Sequence, residues 1–369
     1  AEDSLDTALT SAKEDKSYQR GIPGTPMDYS KVPNTVRSRA ILSYRLGAKS
    51  GDALVVTKNS SKVIALQDVN RIRRNANALR TILRNGEAHG GRAGLLPGRA
   101  SAQEMAIKGD LLRADLLDIF AEDLQGVGLY LLLLDADLQG FSFSVFPEQK
   151  DAARFIADIR SMSLAHTATA GLRPPTQTKL NYSTDILGLS PFRPAPDPTA
   201  GGLVIPGEAQ NASRIFGQGV KIAKEAEEAS TALLTENLDD ARFIHITDYK
   251  TGDNNSILLG DGSVSLATIR SKDVSTRVTI LSADIETKKL MRQAHAFYSA
   301  GAINLVLSNR LIDEHVRGKF TYNFYEAINR ERPPVMALSE ARKTLAGDDA
   351  YNGYFDPSWW GQFILYGTP

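Results

Sequence analysis

Two apolar, β-branched runs of the sequence, Phe243–Ile246 and Val278–Leu281, are interrupted or followed by residues that can do chemistry. These residues are His245, Asp248, Tyr249, Ser282 and Asp284. An imidazole within reach of a serine hydroxyl is the arrangement of a hydrolase in which histidine removes the proton of the nucleophile. A histidine inside a buried strand more often completes its hydrogen bonds within the core, so His245 also has a structural interpretation.

The carboxylates of the same stretches could serve a different purpose. Asp248, Asp284 and the nearby Glu286 carry the oxygen ligands that hard divalent cations prefer. However, the stretch Asp253-Asn254-Asn255 lacks the glycine and the terminal glutamate of an EF-hand calcium loop. The sequence therefore predicts no metal site.

Other residues of catalytic type are isolated from one another. The remaining histidines form no His-x-x-x-His pair; they are His89, His166, His295 and His315. The glycine-rich stretch Gly90–Gly94 lacks the Gly-Lys-Ser/Thr ending that holds nucleotide phosphates, and this favours a flexible loop. We predict no cofactor.

The composition limits the classes of partner. The 369 residues carry 43 Lys and Arg against 43 Asp and Glu, so no net charge attracts nucleic acid from a distance. The apolar run from Val127 to Leu134 is far shorter than the roughly 20 residues of a membrane-spanning helix. There is no cysteine, and the chain starts at Ala1 without Met. These two features slightly favour an exported protein, with a cytoplasmic one as the alternative.

Periodicity predicts an α/β protein in which strands and helices alternate. The predicted strands are Ala40–Tyr44, Ala53–Thr57, Lys62–Leu66, Tyr130–Leu134, Gly140–Phe146, Phe243–Ile246, Val278–Leu281, Ile303–Leu307 and Phe363–Tyr366. The predicted helices are Asp68–Asn85, Gln103–Ala121, Gln149–Arg160, Val220–Leu234, Thr287–Ser299, Arg317–Asn329 and Val335–Ala346. Alternation of this kind, clearest in the second half, indicates a mostly parallel sheet flanked by helices.

The first predicted helix has a basic face. Its arginines are Arg71, Arg73, Arg74, Arg80 and Arg84. A solvated face is the favoured interpretation, and a docking surface for an acidic partner is the alternative.

Several segments, taken in order, resemble the CHAT domain, a caspase-like peptidase domain related to separases. The segments that carry the resemblance are Leu42–Gly47 with Leu54–Thr57, Leu134–Phe143, Leu258–Leu259 with Gly262–Ile269, Phe297–Ala302 and Asp356–Gly367. The resemblance implies a caspase-like, mostly parallel sheet flanked by helices, preceded by a smaller half made of a strand meander and helices. It implies the first half of the domain over 37–170 and the caspase-like half over 208–369. The composition predicts a polar arm over 1–36 and a Pro/Gly-rich loop over 171–207, which is broken by the apolar stretch Asp185–Leu189.

The resemblance also implies that both catalytic residues of the family are missing. The family's segment Ala-Arg-Ile-Leu-His-Leu-Ala-Thr-His-Gly corresponds to Ala241–Lys250, which keeps the first, structural histidine as His245 and has Tyr249 at the catalytic position. The family's Leu-Ser-Ala-Cys corresponds to a segment that ends on Asp284. A phenol with a pKa near ~10 and a carboxyl near ~3.9 cannot replace a thiolate activated by an imidazole. We expect Tyr249 and Asp284 to face each other, either joined by a hydrogen bond that closes the old cleft or lining a retained ligand pocket.

The sequence therefore predicts a catalytically inactive CHAT-like protein that acts as a binding, scaffold or self-assembly module. Its expected partner is another protein or further copies of itself, with the N-terminal arm available to pair with a sheet edge. One alternative is a residual hydrolase that uses Ser282, Asp284 or His245 in a new arrangement. Another is an inactive subunit of a peptidase complex.

Overall fold

The computed structural model describes residues 39–85, 99–148, 155–156, 160–165, 182–192, 208–216, 219–223, 228–309, 314–346 and 360–367. The predicted N-terminal arm, the glycine-rich stretch Gly90–Gly94, and most of both the predicted helix Gln149–Arg160 and the loop 171–207 lie outside these ranges.

One 11-stranded sheet runs through both halves of the sequence. Its strands, in chain order, are β1 (Arg39–Leu46), β2 (Gly51–Val56), β3 (Ser61–Leu66), β4 (Leu129–Leu133), β5 (Ser161–Leu164), β6 (Thr184–Leu189), β7 (Val220–Ala223), β8 (Ala241–Thr247), β12 (Val278–Ser282), β13 (Asn304–Ser308) and β14 (Ile364–Gly367). Short strands β9 (Lys250–Thr251), β10 (Ile257–Leu258) and β11 (Ser263–Val264) form a separate sheet. The order in the large sheet is β3-β2-β1-β4-β5-β14-β13-β12-β8-β6-β7.

The direction of the strands reverses in the middle of the large sheet. β14 is parallel to β5 but antiparallel to β13. On the far side of that boundary, β13, β12, β8, β6 and β7 are parallel neighbours. Since parallel strands end at one edge, the residues that follow β8 and β12 are brought together.

Helices connect and cover these strands. They are α1 (Val69–Asn85), α2 (Arg99–Leu116), α3 (Glu208–Phe216), α4 (Thr231–Asn237), α5 (Leu266–Arg270), α6 (Thr287–Ala300), α7 (Glu314–Asn329) and α8 (Pro334–Ala346). α1 packs against α2, α5 against α6, and α7 against both α3 and α8. No helix in these ranges is long and apolar enough to cross a bilayer. The predicted α/β class, with a mostly parallel sheet flanked by helices, is confirmed.

Two predicted elements are wrong. The predicted helix Val220–Leu234 is instead strand β7, which pairs in parallel with β6, and the separate short helix α4. Backbone hydrogen bonds with β6 make this segment a strand. The spacing of apolar residues along the sequence cannot reveal such pairing. The predicted strand Gly140–Phe146 contains a 3₁₀ turn, Phe143–Val145, and its aromatic side chains are all buried in a cluster of stacked and tilted rings. Its alternation of Phe and Ser therefore reflects a buried loop rather than a pleated strand.

Candidate functional site

A row of buried hydroxyls crosses the carboxyl edge of the parallel strands. Ser282, at the end of β12, pairs with Thr247 of β8 on one side and with Ser308 of β13 on the other. Ser190 directly follows β6. All four residues are buried. The edge at which these parallel strands end is therefore polar but shielded from solvent.

His245 lies beneath this row and is hydrogen-bonded on both sides of its ring. Its Nε2 is 3.2 Å from the carboxylate of Glu208 on α3, and its Nδ1 is 3.4 Å from the hydroxyl of Tyr325 on α7. A proton on Nε2 lets the ring donate a hydrogen bond to Glu208. The ring is completely buried, as the structural interpretation of His245 requires.

Glu208 is the acceptor at the centre of this network. Its carboxylate accepts hydrogen bonds from Thr247 at 2.9 Å, from Thr321 at 3.2 Å and from the guanidinium of Arg317. Burial alone would raise the pKa of Glu208, but the charge of Arg317 and the hydrogen bonds from His245 and Thr247 lower it to about 2. Glu208 is therefore a buried anion whose hydrogen bonds and ion pair link α3 to β8 and α7.

Asp248 connects the same network to the neighbouring strands. Its carboxylate is 3.1 Å from Arg317 Nη2 and accepts a hydrogen bond from Ser190 at 3.0 Å. Its backbone has a φ of 53°, which is unfavourable for a residue with a side chain. Hydrogen bonds on both sides hold this backbone, since its N–H donates to Ser282 O at 3.0 Å and its C=O accepts from Phe192 N at 3.1 Å. Within the described residues, no group of acidic, histidine or cysteine side chains is arranged to hold a metal ion.

Tyr249 and Asp284 do not form the expected pair. The hydroxyl of Tyr249 donates to Gln293 Oε1 on α6 at 2.7 Å, and Gln293 Nε2 donates to the carbonyl of Asn255 at 3.0 Å. Burial raises the pKa of the Tyr249 phenol far above its ordinary value. Asp284 is exposed in the loop that enters α6. The predicted hydrogen bond is wrong because the Tyr249 hydroxyl donates instead to Gln293, on the inner face of α6.

Within the described residues, a cavity of about 40 Å³, partly open to solvent, is lined by Leu134, Gln139, Leu164, Ala165, Met291 and Tyr366. Neither Tyr249 nor Asp284 contributes to it.

The comparisons with known proteins agree with this architecture. The family model described as the CHAT domain matches residues 102–368. The chain belongs to the CHAT-domain family. The comparison with curated protein sequences finds no match.

Solved structures resemble this CHAT domain in fold. The separase–securin complex of Saccharomyces cerevisiae matches with a TM-score of 0.55 at 9% identity, covering 92% of this chain and 30% of that chain. The chain thus spans less than a third of that protein's chain. The Arg-specific cysteine proteinase gingipain R matches with a TM-score of 0.49 at 8% identity, covering 80% of this chain and 74% of that chain. At such identities the separase match establishes the caspase-like fold alone.

In this CHAT domain, Ser282 contacts no histidine of the described residues. Its hydroxyl is buried and has no hydrogen-bond partner among them, while both ring nitrogens of His245 are engaged by other groups. Ser282 and His245 therefore do not form the contact that a residual hydrolase built from these two residues needs.

Sequence reasoning missed three residues that the CHAT fold brings to this edge. Glu208, Arg317 and Gln293 lie on three different helices and reach the strand ends from long distances in sequence. Gln293 gave the clearest signal, because it lies among the apolar positions that define the inner face of α6 and is completely buried. A polar residue on the apolar face of an amphipathic helix indicates a buried hydrogen-bond partner.

The basic face of α1 is largely paired within the protein. Arg71 and Arg73 form ion pairs with Asp115 and Asp137 at 2.6 Å and 2.5 Å. Arg80 donates to backbone carbonyls of the turn that contains Asp137. Arg71 remains exposed, as a solvated face requires, whereas Arg73 and Arg80 are partly buried because this turn supplies acceptors that are distant in sequence.

Proposed function

We propose that this CHAT-domain protein has no peptidase activity and acts by binding protein, in the first instance a second copy of itself. The observation that carries the first part is that Tyr249 and Asp284 follow the strands where the family's histidine and cysteine are expected, in a chain with no cysteine. We assign these two as vestigial dyad positions, with His245, Asp248 and Ser282 as their neighbours.

The chemistry of these side chains supports this assignment. The Tyr249 phenol, with its pKa raised by burial, stays protonated at neutral pH and neither attacks a carbonyl nor removes a proton. The carboxylate of Asp248 is held by Arg317, so it is not available to orient a base at the strand end. The hydrogen bonds of these residues here stabilise the fold.

The outer edge of β3 supports the second part of the proposal. Among the strands that the structure describes, β3 is the outermost on its side of the large sheet. Its first residues are exposed, and Val63 is 66% exposed. An exposed edge strand of six residues presents N–H and C=O groups that an added strand can pair with.

The β2–β3 hairpin determines which β3 groups face outward. The N–H of Thr57 donates to Ser60 O at 2.8 Å, so these residues form a hydrogen-bonded pair, and such pairs alternate along the ladder. Lys62 and Ile64 therefore direct their backbone groups to β2. Val63 directs its N–H and C=O away from the sheet.

A second copy fits this edge without a clash of charges. In an antiparallel pairing centred on Val63, Lys62 of one copy lies opposite Ile64 of the other, so the lysines do not face each other. The same register places Lys58, at the exposed hairpin turn, level with the exposed Asp68 of the second copy. The pairing would extend the sheet across a two-fold axis, the commonest symmetry of homodimers.

Light scattering coupled to size-exclusion chromatography tests this pairing. We expect a dimer mass for the unaltered chain and a monomer mass for Val63→Pro, because proline removes an outward N–H and leaves the β2 ladder intact. The matched control is Val63→Thr, which keeps the N–H and should keep the dimer. A monomer mass for the unaltered chain at high concentration, or a dimer that survives Val63→Pro, would contradict the pairing. Circular dichroism on each variant confirms that it is folded.

A further inference from the structure

The first half of the large sheet has a second apolar face, opposite the face that α2 covers. Tyr44 of β1 points towards α2, where its hydroxyl donates to Leu116 O at 2.6 Å. Side chains alternate between the two faces of a strand, so Ile41 and Ser43 point the other way. The register aligns them with apolar residues of β2 and β4. We call this group the outer patch, and its members are Ile41, Leu54, Val56, Leu131 and Leu133.

The outer patch is buried, although strand pairing by itself leaves both faces of a sheet open. Leu131 is 0% exposed, Ile41 2% and Val56 8%. Among the described residues, the hydrophobic cluster that contains them consists of strand residues and of Ala165, which directly follows β5. No residue of a described helix belongs to this cluster. A further layer must therefore lie over the outer patch.

Helix α8 covers only the part of this face next to the outer patch. Ser161 of β5, the register partner of Leu129, donates its hydroxyl to Met336 Sδ at 3.5 Å. Met336 is itself 47% exposed, so the edge of the α8 layer lies at β5. Further along α8, Arg342 donates to the carbonyl of Phe363, directly before β14. Since β14 lies on the side of β5 away from β4, α8 runs away from the outer patch.

The N-terminal arm enters the sheet at the centre of the outer patch. It precedes β1, the middle of the three strands concerned, and Ile41 is the third residue of that strand. The three strands span two inter-strand spacings, about 10 Å, which roughly four extended residues can cross. The last part of the arm has apolar side chains within this reach, namely Tyr29, Val32 and Val36.

Two other segments outside the described ranges fit the outer patch less well. Residues 166–181 follow Ala165 but contain only two large apolar side chains, Leu172 and Leu180. Residues 347–359 follow the end of α8, which leads away from the outer patch. The arm therefore combines the best attachment point with apolar side chains.

We propose that residues 27–36 of the N-terminal arm pack across the outer patch of their own chain. Tyr29, Val32 and Val36 supply the apolar contacts that bury Ile41 and its neighbours on β2 and β4. The contact goes beyond the proposed pairing of two copies and does not use the outward N–H and C=O groups of β3. The register partner of Leu54 on β3, Val63, is 66% exposed, so the cover ends at β2 and leaves this edge open.

The chain contains no cysteine, so a single introduced thiol is a specific probe of the cover. Ser43→Cys places the thiol between Leu54 and Leu133, the register partners of Ser43 on either side. Adding Val32→Asp and Val36→Asp should raise its rate of alkylation by a maleimide roughly tenfold or more, because a covered thiol reacts only when the cover opens.

The matched control adds the same two charges at polar positions of the arm, as Ser30→Asp with Asn34→Asp. In this control the thiol introduced by Ser43→Cys should react at the rate of the unaltered arm. Equal alkylation rates with the two pairs of aspartates would overturn the proposal. Circular dichroism on each variant establishes that it is folded.

Photocross-linking with the unaltered arm identifies the occupant directly and does not depend on the folding of the aspartate variants. Ser43→benzoylphenylalanine should cross-link to a peptide within residues 27–36. Mass spectrometry on an equal mixture of unlabelled and ¹⁵N-labelled chains separates links within one chain from links between two, and we expect links within one chain. Links to residues 166–181 or 347–359, links between two chains, or no link to the arm would each refute the proposal.

Discussion

Replacing Glu208 by glutamine tests the buried network under the strand ends, because it removes a charge at nearly constant volume. The carboxylate has a folded pKa of about 2 and an ordinary value of 4.5. Each unit of difference corresponds to about 1.4 kcal/mol, so the charged form contributes about 3 kcal/mol of stability at pH 5. We expect Glu208→Gln to lose at least this amount at pH 5, since Arg317 also loses one of its two carboxylate partners.

The pH dependence of the loss is the sharper test. A carboxyl group whose folded pKa is depressed stabilises the protein above its unfolded pKa, and this stability disappears as the pH falls towards the folded pKa. The contribution of Glu208 should therefore fall from about 3 kcal/mol at pH 5 to roughly half of that at pH 3. Urea unfolding at pH 5, 4 and 3 measures the difference in unfolding free energy between the unaltered chain and Glu208→Gln.

The matched control is Glu326→Gln, an exposed carboxylate on α7 whose contact with Arg330 is 4.0 Å long. This variant should differ little from the unaltered chain at any of these pH values, because an exposed ion pair contributes about 0–1 kcal/mol. A loss of unfolding free energy in Glu208→Gln that stays constant from pH 5 to pH 3 would refute the assignment of Glu208 as a buried anion. A loss no larger than that of the control would also refute it.

Three further predictions concern the strand ends and the loop that packs on α6. Tyr249→Phe should lower the unfolding free energy by about 1–3 kcal/mol in urea titration, because it leaves Gln293 Oε1 buried without a donor. Gly140→Ala should cost at least about 1 kcal/mol in the same assay, because φ is +92° there and the new Cβ would lie 2.5 Å from Thr287 Oγ1. The double variant Tyr249→His with Asp284→Cys should show no efficient peptide turnover, because a catalytic pair needs supporting residues that hold its geometry. Robust turnover by that variant would contradict the view that the supporting residues have been lost.

The sequence predicted the strands of the parallel half well because their signals are local. The runs Phe243–Ile246 and Val278–Leu281 fall inside β8 and β12. The ends of the predicted helix Thr287–Ser299 agree with those of α6 to within two residues. β7 was not predicted, since its strand structure depends on pairing with β6, more than thirty positions earlier in the chain. Local propensity does not contain that information.

The candidate site was predicted in part for the same reason. Parallel pairing alone brings the ends of β8 and β12 together. That Tyr249 and Ser282 lie near each other could therefore be predicted from the strands. The partners of these residues come from helices, and a helix can be rotated or shifted over a sheet without any change in its sequence pattern. The contacts of Gln293 and Glu208 therefore became known only with the fold.

Incubation of the purified chain with a degenerate peptide library, with cleavage followed by mass spectrometry, tests the central claim most directly. We expect the same product profile for the unaltered chain, for Ser282→Ala and for a blank without protein. Cleavage by the unaltered chain that is lost in Ser282→Ala would contradict it and would establish a hydrolase with a rearranged site.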